Sequence, residues 1–141
     1  MHWLSLRKLF QSRQPPLPLG RRGEAAAAHY LQRLGYRLVA RGHRDRIGEL
    51  DLVAVDGRTV VFVEVKTRRS HNAGSPQEAV QETKQRQLTR AALSFLRHHD
   101  LLEEQARFDV VAVTWPSDAA KPSVEHFMHA FQAIGRWQLF S

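Results

Sequence analysis

Glu49-Leu50-Asp51-Leu52-Val53-Ala54-Val55, then Asp56-Gly57-Arg58, then Thr59-Val60-Val61-Phe62-Val63-Glu64-Val65-Lys66 is the stretch from which the rest of the chain can be read. Asp-Gly between two runs rich in β-branched residues marks a tight hairpin turn, so two adjacent antiparallel strands are expected. Both runs are nearly continuously apolar, as in a sheet whose two faces are covered by helices. Residues two apart in a strand share a face, so Glu49 projects with Asp51, and Glu64 with Lys66. Asp51 and Glu64 are 64 − 51 = 13 positions apart across the turn. A register that pairs the far ends of the strands gathers both carboxylates and Lys66 into one cluster. Charges among Val, Leu, Ala and Phe are expensive to bury unless they are paired or bind a metal. Singly, each of the three also reads as a solvent-facing or strand-end residue; their combination in one hairpin is what points to a site.

Upstream, Gln14-Pro15-Pro16-Leu17-Pro18-Leu19-Gly20 excludes helix and central strand, because proline fixes φ and lacks the amide donor. Residues 1–19 are therefore expected to be a flexible leader, 20–131 the domain and 132–141 a tail. Arg21 to Leu34, with Ala25-Ala26-Ala27-Ala28 and a stop at Gly35, predicts a helix with Glu24 in its first turn. Tyr36 to Ala40 predicts a short strand, and Arg41 to Arg46 a basic turn. Downstream, Ser75-Pro76-Gln77-Glu78 has the form of a capping box with proline at the first helical position, opening a long helix that ends near His98-His99. Val80, Leu88, Ala91, Phe95 and Leu96 form its apolar stripe. Phe108 to Trp115 predicts a strand, Pro116 to Pro122 a loop, and Ser123 to Phe131 a weaker strand. The order is α-β-β-β-α-β-β: an α/β fold with a mixed sheet flanked by helices.

With 141 residues the chain has room for one domain, and 21 Lys plus Arg against 14 Asp plus Glu favours polyanionic partners, nucleic acid above all. The absence of cysteine excludes disulfides and thiolate sites. No run approaches the roughly 20 apolar residues needed to cross a bilayer, and no secretory signal is evident, so a soluble cytoplasmic protein is expected. The leader residues Trp3, Leu6 and Phe10 leave a short surface-seeking segment open as a second role. Walker and dinucleotide fingerprints and a Ser/His/Asp pattern are all missing, which disfavours nucleotide-cofactor and acyl-transfer enzymes.

Asp51, followed after the hairpin by Glu64-Val65-Lys66, resembles the metal-binding core of the PD-(D/E)XK nuclease superfamily, whose core is the restriction-endonuclease-like αβββαβ. Three blocks, Arg22-Gly23-Glu24-Ala25-Ala26, Gly48-Glu49-Leu50-Asp51-Leu52-Val53 and Phe62-Val63-Glu64-Val65-Lys66-Thr67-Arg68, resemble the YraN-like UPF0102 family, itself similar to archaeal Holliday-junction resolvases. The resemblance covers about Gly20 to Phe131. It implies that Asp51 and Glu64 bind a catalytic Mg²⁺ or Mn²⁺, that Val65 lends a backbone carbonyl, that Lys66 assists an attacking water, and that Glu24 supports the site. Leu50 stands where the superfamily pattern has proline, which bears no catalytic group. The activity so implied is metal-dependent endonucleolytic cleavage of DNA, extending by analogy to branched or junction DNA in repair or recombination. A homodimer, which suits paired cuts, is implied by the same analogy. The alternative is a nucleic-acid-binding protein with the same fold that does not cut.

Arg41, Arg44 and Arg46 before the acidic strand, and Arg68 and Arg69 after the other, are candidates to neutralise flanking phosphates; a solvated charge cluster is the other reading. Aromatics do not interleave with them, which favours double-stranded or branched DNA over single strands. Lys84, at helical spacing with Gln81 and Gln85, is a phosphate contact or a surface lysine. His126 and His129, like His98 and His99, lack a third ligand and read as non-metal histidines. Asp109 reads as a buried acid paired with an arginine.

Overall fold

In the computed structural model, which describes residues 17–73 and 80–135, a five-stranded sheet lies between two helices. The elements in chain order are α1 (Leu19–Arg33), β1 (Arg37–Arg44), β2 (Glu49–Asp56), β3 (Thr59–Arg68), α2 (Glu82–His98), β4 (Ala106–Thr114) and β5 (Ser123–Phe131), with a short 3-10 turn at His71–Ala73. This is the α-β-β-β-α-β-β order expected of the restriction-endonuclease-like core. The strands lie in sequence order, antiparallel except for the parallel pair β3–β4. That pair requires a crossover, which α2 supplies.

The two helices bury opposite sheet faces. On one, Leu88, Ala91, Ala92, Phe95 and Leu96 of α2 pack on Val53, Val60, Phe62, Phe108 and Val110. On the other, Ala27, Ala28 and Leu31 of α1 pack on Leu52, Ala54, Val61, Val63, Val111 and Val113. All nine residues of β4 are buried, so its near-continuous apolar run is what a central strand demands. The alanines give α1 good helix propensity and a low profile. Gly23 extends that profile to contact: a Cβ built there would overlap the side chain of Thr67 on β3.

Several boundaries differ from the sequence expectations. The first helix begins at Leu19, directly after Pro18, so Gly20 is helical and Glu24 falls in the second turn; the first turn carries no acid. Strand β1 runs on to Arg44 because its ladder with β2 continues through Arg41↔Leu52, His43↔Leu50 and Arg44↔Glu49. Arg41 and Arg44 are therefore strand residues, and only Arg46 stays in the turn, where Asp45 Oδ1 accepts the N–H groups of Ile47 and Gly48. The expected capping box and most of the leader and tail lie outside the described residues; the second helix does not open there but begins at Glu82, because Val80 is in a bend and Gln81, its N-cap, has extended backbone.

Asp109 does pair with an arginine, on the α1 face. Arg107 donates from Nε and Nη2 to its two oxygens at 3.0 and 3.3 Å, His126 Nε2 lies 2.7 Å from Oδ2, and the His129 amide donates to Oδ1. Arg107 also reaches Tyr36 and Asp56. Burial alone would push the Asp109 carboxyl up, but the hydrogen bonds from His126 and Arg107 outweigh it and hold the group below its ordinary range. His126 and His129 thus serve this network.

Two stability outcomes follow from these contacts. Gly23→Ala is expected to lose about 1–3 kcal/mol in urea denaturation through overpacking against Thr67, with partial recovery in Gly23→Ala/Thr67→Ala; undiminished stability of the single variant contradicts the close approach. Asp109→Ala leaves a buried guanidinium short of its main acid and should cost roughly 3 kcal/mol or more, read as a lowered midpoint in the same assay.

Candidate functional site

The last rung of the β2–β3 ladder is Leu52↔Val63, and one step further the register sets Asp51 opposite Glu64. Here the strand geometry changes. Leu50 and Leu52 are two apart, yet Leu50 joins the α2-side core and Leu52 the α1-side core, so the alternation breaks at Asp51. The Asp51 side chain then stands in for a ladder carbonyl: its Oδ2 accepts the Val65 amide at 2.9 Å. The carboxylate is thereby pinned to β3, and Asp51 and Glu64 share a hydrogen bond.

Glu64 is only 7% exposed, and two cations face one of its oxygens: Lys66 Nζ at 3.6 Å and Lys84 Nζ at 3.8 Å from Oε1. Lys66 comes from the same strand and Lys84 from the second residue after the start of α2. The distances are too long for hydrogen bonds and short enough for charge to act. Burial, reinforced by the Asp51 charge, outweighs both lysines and pushes the Glu64 carboxyl up to about 7. Burial also raises Asp51, despite the Val65 amide and the Lys84 charge, which oppose it. Two acids in one desolvated place cannot both ionise cheaply, so the pair retains a proton near neutrality.

Glu24 approaches from α1. Its carboxyl is raised by partial burial and then by the charges of Asp51 and Glu49, with Arg21 and Arg41 pulling the other way. The Gly23–Thr67 contact sets α1 at this height on the sheet. The structure thus brings together Glu24, Asp51, Glu64 and Lys66, the four residues read as catalytic, and adds Lys84 and Glu49. Val65 belongs to the cluster through its amide. Among the described residues no three His, Asp or Glu side chains form a ready-made metal cage; the donors available are two facing carboxylates.

The phosphate-contact candidates divide. Lys84 stands at the carboxylates. Arg41 and Arg46 are exposed, while Arg44 pairs with Glu49 at 3.1 Å. Arg68 and Arg69 fit the expectation poorly. Arg68 is turned along the sheet to Thr114 Oγ1 and lies 3.5 Å from Glu125, and Arg69 binds Asp118 and the Trp115 carbonyl. Arg68 ends β3 and Arg69 follows it, where β5 offers Glu125 and the β4–β5 loop Asp118, which spacing along β3 alone does not reveal. Arg21 was not singled out from the sequence; its only signal there is a position three before Glu24 on a helix.

The architecture and the cluster together define an α/β protein with a carboxylate–lysine site at one end of a mixed five-stranded sheet. The chain belongs to the family described as Uncharacterised protein family UPF0102, whose model matches residues 23–113. A UPF0102 protein of Geobacter sulfurreducens is 54% identical over 114 residues, 81% of this chain and 88% of the relative. One from Rhodopirellula baltica is 50% identical over 120 residues, 83% and 72% of the two chains, and one from Syntrophotalea carbinolica 50% over 119 residues, 84% and 95%. The matched span contains Glu24, Asp51, Glu64, Lys66 and Lys84.

The shared proton makes stability depend on pH. Glu64 holds its proton to about pH 7 in the fold against an ordinary 4.5. Between these values the folded chain binds more protons than the unfolded one, so stability falls as the pH rises. Glu64→Gln removes this dependence: relative to the variant, the wild type should lose on the order of 3 kcal/mol between pH 4.5 and 7. Urea titrations of both proteins across that range measure it, and parallel pH profiles would show that Glu64 is not proton-trapped.

Proposed function

We propose that this protein is a Mg²⁺- or Mn²⁺-dependent endonuclease that hydrolyses phosphodiester bonds in DNA. The observation that carries the reading is the facing pair Asp51 and Glu64, under-compensated by lysines at 3.6 and 3.8 Å. A buried pair that keeps a proton because its cations stand off is a pair able to exchange that proton for a divalent ion. Mg²⁺ is commonly held by one or two carboxylates, with substrate phosphate and water completing its shell, so two acids are a sufficient protein contribution. When bound, the ion would neutralise the pair and polarise a phosphate oxygen.

The chain's own residues then divide the work. The Val65 amide fixes Asp51, so one donor stays in place without substrate. Lys66, one-third exposed, reaches past Glu64 toward solvent and is placed to orient a water or neutralise charge growing on the phosphate. Lys84, somewhat more exposed, offers a second cation from the α2 side for an adjacent phosphate oxygen. Glu24 adds a third acid from the α1 side. The resemblance of Asp51 and Glu64-Val65-Lys66 to a nuclease core and the basic rim support DNA as partner; by analogy with resolvases, branched DNA is the substrate to try first and a homodimer the assembly to look for. No helix among the described residues is long and apolar enough to cross a membrane, and a cytoplasmic protein acting on DNA is the reading we adopt.

Full-length protein with Mg²⁺ or Mn²⁺ is expected to nick supercoiled plasmid or cut a synthetic four-way junction. Glu64→Gln and Lys66→Ala should each lower the rate at least 100-fold, in keeping with loss of one positioned charge, while junction binding in gel shift persists. Binding without cutting under either metal establishes the non-catalytic alternative.

A further inference from the structure

The arginines at the site end of the sheet differ in what already neutralises them. Arg22 lies 2.7 Å from Asp118 and stacks over Trp115 at 4.2 Å from the ring centroid. Arg69 is held by the same Asp118, Arg44 by Glu49 and Arg68 by Thr114 and Glu125. Arg21 and Arg41 stand apart. Both are exposed, and among the described residues neither makes an ion pair or a side-chain hydrogen bond. Yet both act through their charge on the same carboxyl, that of Glu24.

Their placement explains this. Arg21 is three residues before Glu24 on α1, a neighbouring position on the helix surface. Arg41 is the register partner of Leu52, the residue after Asp51, and Leu52 packs on the α1 side. Partners directly opposite share a face, so Arg41 also lies on the α1 side. A helix and a strand thus bring two uncommitted guanidinium groups to one flank of the carboxylates, while Lys66 and Lys84 occupy the other, toward α2.

We infer that Arg21 and Arg41 form a phosphate clamp for one strand of a DNA duplex, so that the backbone crosses the end of the sheet from the lysines to the arginines with Asp51 and Glu64 beneath it. This rests on the site being the DNA-facing one, and it concerns binding, not cleavage. Guanidinium forks match phosphate oxygens bidentately. Two such groups held near one partly buried acid, with no salt partner, gain most from an anion arriving between them. Each phosphate neutralised releases condensed counterions and adds about 0.9 to the slope of log affinity against log salt on duplex DNA.

The test uses full-length protein and a fluorescent duplex in EDTA, so that no cutting occurs, with Kd measured from 50 to 200 mM salt. Arg21→Gln and Arg41→Gln should each reduce the slope by about 1 and weaken binding roughly three- to tenfold at 100 mM salt. Arg69→Gln, whose arginine is already spent on Asp118, should change neither. Arg21→Lys and Arg41→Lys keep the charge and should keep the slope, which separates a phosphate contact from a folding defect. If the wild type binds and the Gln variants match it in affinity and slope, the strand path is wrong while the DNA reading survives. If the wild type ignores duplex DNA at 50 mM salt but binds a four-way junction, the clamp is overturned while the DNA reading survives; if it ignores both, or binds anionic phosphatidylserine vesicles instead, both are overturned.

Discussion

Two carboxylates that must share one dry corner constrain everything around them. Asp51 and Glu64 meet where the β2–β3 ladder stops, and neither can ionise there without help. The nearest help is built into the backbone: Val65 gives its amide to Asp51, so the break in the ladder becomes the anchor of the acid. The remaining compensation comes from two lysines, Lys66 on the same strand and Lys84 on α2. The positions of both helices can be understood from this corner. Helix α2 must start where Lys84 reaches Glu64, and α1 must sit low enough, over Gly23, for Glu24 to approach.

The sheet contains a second buried carboxylate, and the contrast defines what kind of site the first is. Asp109 is wholly buried and yet lies below its ordinary range, because a guanidinium fork, an imidazole and a backbone amide satisfy it at hydrogen-bond distance. Glu64 is nearly as buried and is pushed up to about 7, because burial and the Asp51 charge outweigh cations that stand off. Saturated in this way, Asp109 staples β5 to β4 and has no capacity left for a ligand. The under-compensated pair retains that capacity. Burial of charge is common to both; completeness of the local partner set separates a structural acid from a functional one.

Much of this was readable beforehand because it rests on local rules. Asp56-Gly57 and the flanking β-branched runs fixed the hairpin, and the hairpin's register then required Asp51 to meet Glu64. The alanine run and the Gly35 stop located α1, and the apolar run of residues 110–113 located a central strand. What escaped depended on partners distant in sequence. The extension of β1 to Arg44 follows from its ladder with β2, not from its own polar composition. Arg68 and Arg69 look identical to phosphate ligands until Glu125 and Asp118 arrive beside them from the β4–β5 region. Glu24 lies in the second turn, not the first, because the helix already begins at Leu19, directly after Pro18. The cluster of acids was therefore legible, and the sorting of the basic residues around it was not.

The parallel pairing of β3 with β4 has a consequence for how the molecule is made. Strands β1 to β3 can zip up by short connections, but the far edge of β3, lined by Val60 to Val65, finds its partner only when the chain beyond Gln105 has left the ribosome. During that interval a nascent meander displays an open, β-branched edge that neighbouring copies on a polysome can join. The same central location that shelters Glu64 in the finished protein thus makes synthesis of this chain vulnerable until β4 is in place.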